Sequence, residues 1–258
     1  MIFWELLCVA LLGGLLALDR SAGWNFMLGQ PLVGACLAGS LLAGALLHPG
    51  SEWGLWALRI PLGVGVLLQL LLTDPSLPAA QKPRDAATAG VIGASVGILC
   101  LERLHPSFSL LTGGIIWVLV GTLAGLLSSV AGGWMEATMR AVNQDRARRG
   151  EALLLEGKVA AFEALYWRGV GLLFLRGATW SAAATVAGVA AAALLLPRAI
   201  RILTGPHAGL LFAVILGVAF GSGYHTHVRT PRHGFRWAAL GALIALGVFV
   251  QLKKGGGH

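Results

Sequence analysis

At 258 residues, with 57% hydrophobic and 12% charged residues, the chain is more apolar than soluble domains, which carry about 45–50% apolar and about 25% charged residues. Its apolar runs are continuous rather than alternating, which excludes a transmembrane barrel and leaves membrane helices. The net charge of +8 lies mostly in the connecting segments. Membrane orientation and anionic headgroups account for it without nucleic acid.

In chain order, apolar spans fall near 2–18, 28–47, 55–73, 86–100, 112–131, 172–196, 207–224 and 235–252, several of them near the roughly 20 residues that cross a bilayer. The first holds Glu5 and lacks a basic leader, so it reads as a retained helix rather than a cleaved signal. Asp19-Arg20-Ser21-Ala22, Asn25 and Gln30-Pro31 separate it from the second. The third is interrupted by Arg59 and Pro61 and carries Gln69 towards its end. Asp74-Pro75, Pro78 and Pro83 break any helix over 74–85, which reads as a loop or a segment that dips into the membrane and returns. Asp85 opens an alanine-rich helix, where it can serve either as a cap or as a ligand.

Residues 134–168 are charged and free of proline. Leu155, Val159, Phe162 and Tyr166 follow a 4-3-4 spacing there, which predicts one apolar face on one or two amphipathic helices outside the bilayer core. The basic excess of this segment places it in the cytoplasm. Alternate crossings then put Arg20, Lys82, Arg84, Arg229, Arg232 and Arg236 inside as well, but leave Arg198, Arg201 and Lys253-Lys254 outside, a conflict that a re-entrant 74–85 would remove. The expected architecture is an all-α polytopic membrane protein. It has a single membrane-embedded domain over 1–252, about eight transmembrane or re-entrant helices, a long cytoplasmic helical loop at 134–168, and a disordered tail at 253–258.

Cys8, Cys36 and Cys100 sit in or beside apolar helices and read as small buried hydrophobes. Gly121-x-x-x-Gly125 and Gly217-x-x-x-Gly221 read as helix-packing surfaces. His225, His227 and His233 lie among arginines in a wet connection, not in a metal-ligand pattern. Trp24, Trp53, Trp56, Trp117, Trp134, Trp167 and Trp237 fall near span ends, as an aromatic belt would. No phosphate loop, activated nucleophile or cofactor motif is present, so the chain is not expected to perform covalent chemistry itself or to need a cofactor.

The polar residues inside the apolar chain are the candidate site. A glutamine such as Gln69 both donates and accepts hydrogen bonds, which suits sugar hydroxyls, and a carboxylate binds them more strongly still. Gln69, Asp74, Asp85 and Asn25 are therefore the candidate substrate-binding residues; helix capping and helix–helix hydrogen bonds are their structural alternatives.

The order of these residues resembles the membrane subunit IIC of the mannose/fructose/sorbose family of bacterial sugar phosphotransferase systems. Family members carry an early Asp-Arg-Thr-Ala-like stretch followed by an Arg-Pro; this chain has Asp19-Arg20-Ser21-Ala22 and then Gln30-Pro31. They continue with a glycine-rich helix, here Leu32 to Gly44, and a Leu-Glu in a leucine-rich helix, here Leu68-Gln69. A Pro-Asp-Ala follows some sixteen residues on, here Arg84-Asp85-Ala86 after Pro83. The chain departs from the pattern at Gln69, at Gln30, in the stretch from His48 to Pro61, and at Asp74, which stands where the family usually has asparagine.

The resemblance implies a sugar-translocating subunit in the bacterial cytoplasmic membrane, working with a homologous IID subunit as a trimer of such pairs. A hexose passed across the membrane would be phosphorylated by the soluble IIB subunit, itself charged by IIA. The departures motivate one alternative, a degenerate IIC acting as a regulatory scaffold. A second is an ion-coupled transporter using Asp19 and Asp85 as ion ligands.

Overall fold

The computed structural model describes residues 2–21, 29–46, 53–72, 85–104 and 110–203, with isolated positions at 213, 214, 217 and 243. Among the described residues the chain is helical and contains no strand. Six helices follow in order: α1 (Ile2–Ser21), α2 (Pro31–Leu46), α3 (Trp53–Leu72), α4 (Ala86–Leu104), α5 (Leu110–Leu155) and α6 (Val159–Leu203). α1 to α4 match the first four apolar runs to within a few residues, whereas α5 and α6 contain the fifth and sixth runs and extend well beyond them. Apart from those isolated positions, the last two runs lie outside the described residues, as do Asn25, Asp74, the histidine-rich connection, Gly221 and the tail at 253–258.

α4 is the hub. It packs against each of the other helices, and its positions from Thr88 to Cys100 are buried without interruption. Small residues make this possible, because a helix without bulky side chains lets its neighbours' backbones approach. A Cβ on Gly93 would lie 2.7 Å from the Gly121 carbonyl oxygen, and one on Gly125 would lie 2.8 Å from that of Ala89. The Gly121/Gly125 pair is thus the surface by which α5 seats on α4. The same contacts set α4 and α5 antiparallel.

Gly65 of α3 faces Leu32 and Ala35 of α2, while Gly13 of α1 faces Gly177 and Ser181 of α6. Consecutive helices therefore alternate in direction. The end of α1, the start of α2, the end of α3 and the start of α4 come together at one end of the bundle. At the opposite end Arg103 of α4 forms an ion pair with the buried Glu5 of α1.

α5 and α6 are much longer than the rest, at 46 and 45 residues, or about 69 and 68 Å at 1.5 Å per residue. Within them, Gly114–Leu155 and Val159–Leu195 are long and apolar enough to cross a membrane. The glycine-mediated contacts of α5 with α3 and α4 fall in its first half, from Trp117 to Gly125, and Gly132 meets Asp85 just ahead of α4. Beyond that point α5 and α6 run on as a two-helix stalk.

In the stalk, the shielded positions of α5 are Glu136, Met139, Asn143, Arg146, Gly150 and Leu153, the 3-4 alternation of a coiled-coil seam. They face Phe162, Leu165, Gly169 and Leu173 of α6. The stalk turns at Glu156-Gly157-Lys158. Gly157 adopts φ 71°; its N–H donates to Leu154 O at 3.0 Å and the Lys158 N–H donates to Leu153 O at 2.9 Å, the double bond of a Schellman cap.

This turn corrects the apolar face expected over 155–166. Leu155 closes α5 and Val159 opens α6, so they do not share a helix with continuous phase, and Leu155 is 89% exposed. Trp117 departs from the aromatic belt: it is 1% exposed and belongs to the core, whereas Trp134 is 76% exposed. Cys100 is buried as expected, and Cys8 and Cys36 are half-buried; all three are free thiols.

Candidate functional site

Asp19, Gln69 and Asp85, polar residues at or beside the ends of the first, third and fourth apolar runs, gather at the stalk end of the bundle. They do so because each sits at a helix terminus, where backbone groups lack intrahelical partners. Asp19, near the end of α1, accepts the Gly29 N–H at 2.9 Å. Gln69, in the last turn of α3, presents Oε1 to the Leu32 N–H at 3.3 Å. That amide is an orphan donor in the first turn of α2, so a side chain of one helix caps the next.

Asp85 is the best-connected of the set. Its Oδ1 accepts the Thr88 N–H at 3.3 Å, the N-cap bond that starts α4. Its own N–H donates to Ser129 O of α5 at 2.9 Å. Its Oδ2 accepts Arg176 Nη2 of α6 at 2.7 Å, with the two side chains only 4% and 6% exposed. The same Arg176 nitrogen donates to Gly132 O at 2.9 Å. One aspartate thus ties the start of α4 to both long helices. The fit is close, since a Cβ on Gly132 would lie 3.0 Å from Asp85 Cβ and 2.8 Å from Trp180 Nε1.

Both readings of Asp85 open from its sequence context bear on this arrangement. The cap is made by one oxygen, and the other holds a charge partner that sequence reasoning did not single out. Two donors beside the pair, Arg176 Nε and Trp180 Nε1, are buried with no acceptor among the described residues. The structure brings Gln69 and Asp85 to the same end of the bundle on adjoining elements, while Asn25 and Asp74 lie outside the described residues.

The chain matches no family model, no curated protein and no solved structure. The reading of the site therefore rests on its residues alone.

The signal for Arg176 was present in the sequence. It is the only ionisable side chain between Arg168 and Arg198, and a lone cation in an apolar run calls for a buried partner. Glu5 carried the same signal in the first run, and its partner is Arg103. Ser129 and Gly132 take part through backbone oxygens, which no side-chain pattern reveals.

Proposed function

We propose that this chain is a multi-pass IIC-type subunit of a mannose/fructose/sorbose-family sugar phosphotransferase system, embedded in the bacterial cytoplasmic membrane. Eight spans, the six helices above and the runs at 207–224 and 235–252, would make up its membrane domain. The observation that carries the proposal is the ordered set Asp19, Gln30-Pro31, Gln69 and Asp85. Its members lie far apart in the chain and meet at one end of the helical bundle.

The outer surface supports a membrane setting. Leu11, Leu15, Leu41, Leu62, Leu127 and Leu194 all face outward, a distribution that water would disfavour and lipid tails accept. Between Gly114 and Gly132 α5 rises about 27 Å, close to the roughly 30 Å of a bilayer core. The two ion pairs, Asp85–Arg176 and Glu5–Arg103, then lie near opposite faces of the membrane, and the stalk projects on the side of Asp85.

In this reading the hexose is held by Gln69, Asp85 and, from the flanking segments, Asp74 and Asn25. Arg176 Nε and Trp180 Nε1 offer donors to hydroxyl lone pairs beside Asp85. IID completes the translocating unit as a trimer of IIC–IID pairs, and phosphoryl transfer is carried by IIB and IIA.

One observation favours a second reading, a IIC-derived scaffold that no longer moves sugar. Gln69 Oε1 and both Asp85 oxygens are engaged within the protein. Equilibrium binding of a panel of hexoses to the purified chain with IID separates the two. The permease reading predicts saturable binding of at least one hexose, weakened by Gln69→Leu and by Asp85→Asn made singly. Binding of none, or binding untouched by both variants, overturns the pocket.

A further inference from the structure

The bundle is made of two groups of helices. In one, α4 lies on α2, α3 and α5 through glycines: Gly90 meets Pro31, Gly93 meets Gly121, and Gly97 meets Ile60 and Trp117. In the other, α1 and α6 are joined through Gly13 and Gly177, and a Cβ on Gly177 would lie 2.6 Å from Gly13 O. Backbones this close leave little freedom within either group.

The interface between the groups is built differently. Thr88 and Ser95 lie on the side of α4 opposite those glycines, towards α1 and α6. Ser181 of α6 meets Gly13, Thr185 follows one turn on, and Gly188 meets Val96 of α4. Four hydroxyls thus line one interface, and all four side chains are fully buried. Among the described residues none of their oxygens has a hydrogen-bond partner. Helical serines and threonines often donate to a carbonyl one turn back, as Thr122, Ser128, Ser129 and Thr179 do. In an interface that stays closed, alanine or valine would be more stable than an unbonded hydroxyl.

Each end of this interface is held by one ion pair. Asp85–Arg176 ties the start of α4 to α6, and Glu5–Arg103 ties α1 to the end of α4. From Ala86 to Arg103 α4 rises about 26 Å, close to the roughly 30 Å of a bilayer core. Between the two pairs, residues 6–18, 86–101 and 177–195 carry no charged side chain.

We propose that the interface of α4 with α1 and α6 is the path of a neutral, hydroxyl-bearing solute through the bundle, with the two ion pairs as its gates. When one end parts, the hydroxyls there both donate and accept hydrogen bonds, as sugar hydroxyls require. The uncharged walls offer an ion no counter-charge. Opening breaks one ion pair at a time, so the path never joins the two faces. It rests on the transport reading above and deepens it by giving the hexose a route to the end of the bundle that holds Gln69 and Asp85.

The test uses the full chain with Cys8, Cys36 and Cys100 replaced by alanine, in phosphatidylcholine nanodiscs that leave both faces in water. Cysteine is placed singly at Ser95, Ser181 or Thr185. Each variant is offered a glucose-linked methanethiosulfonate or the smaller, anionic sulfonatoethyl reagent, and adducts are followed by intact-protein mass spectrometry. All three positions should react with the glucose-linked reagent, and faster than with the anionic one once each rate is scaled to that of free cysteine. Thr122→Cys, also buried but on α5 and bonded to Val118 O in the native chain, should stay unmodified. Glu5→Gln added to Ser95→Cys should speed the reaction by about tenfold or more, because removing one member of a buried pair weakens the closed contact.

No reaction at the three positions, equal reaction at Thr122→Cys, preference for the anionic reagent, or indifference to Glu5→Gln overturns the path. Incorporation into the discs reports on the membrane reading, and hexose binding in the same discs reports on the Gln69–Asp85 pocket. A failed path is thereby told apart from a failed pocket.

Discussion

The Asp85–Arg176 pair makes the sharpest energetic prediction. Removing one member of a buried ion pair leaves the other charge without compensation, at a cost of about 3–5 kcal/mol. Asp85→Asn keeps an oxygen for the Thr88 N–H, so its cost is that of the orphaned guanidinium alone. Asp85→Ala also loses the cap, which adds about 1 kcal/mol. Arg176→Met strands the carboxylate and removes the donor to Gly132 O. It should cost at least as much as Asp85→Asn.

The double variant Asp85→Asn/Arg176→Met leaves no buried charge, and such replacements are often neutral. Its stability should return to within about 1–2 kcal/mol of wild type, giving a coupling of several kcal/mol where independent sites would add. Reversible unfolding of the purified chain in mixed micelles, followed by tryptophan fluorescence, measures all four proteins. Single variants within about 1 kcal/mol of wild type, or a double variant that is simply additive, would show that the pair does not hold the three helices as described.

Two further variants probe the packing. Gly93→Leu drives a side chain into the Gly121 backbone, which cannot rotate away as a side chain could. It should lower stability by about 3 kcal/mol or more, read as a loss of folded protein by size-exclusion chromatography. Gly157→Ala puts a Cβ into a left-handed turn at a cost of about 1–2 kcal/mol. Hydrogen exchange should then speed up at the stalk tip while protection in α4 is unchanged.

Much of the helical layout could be read from hydropathy: the first four apolar runs became helices with ends shifted by a few residues, and the fifth and sixth became parts of the much longer α5 and α6. The stalk was only partly legible. The charged stretch 134–168 predicted one or two amphipathic helices outside the spans, but not that they would continue α5 and α6 out of the bundle without a break. The seam was misread for a local reason. Gly157 resets the helical phase, and the pattern Phe162, Leu165, Gly169, Leu173 contains a glycine that carries no hydropathy signal. At the site, Asp85 and Gln69 stood out as polar residues in an apolar chain. Leu32, Ser129 and Gly132 did not, since they contribute backbone groups; Arg176 is marked as a lone cation in an apolar run, but its separation of 91 positions from Asp85 hides the pairing.

The central claim is that the chain passes a hexose to a phosphorylating partner. Vesicles carrying this chain with IID, supplied with IIA, IIB and phosphoenolpyruvate, should accumulate at least one labelled hexose as its phosphate. That accumulation should depend on IIB and be indifferent to ion gradients. No accumulation of any hexose, or uptake that needs an ion gradient and leaves the sugar unphosphorylated, would contradict the account.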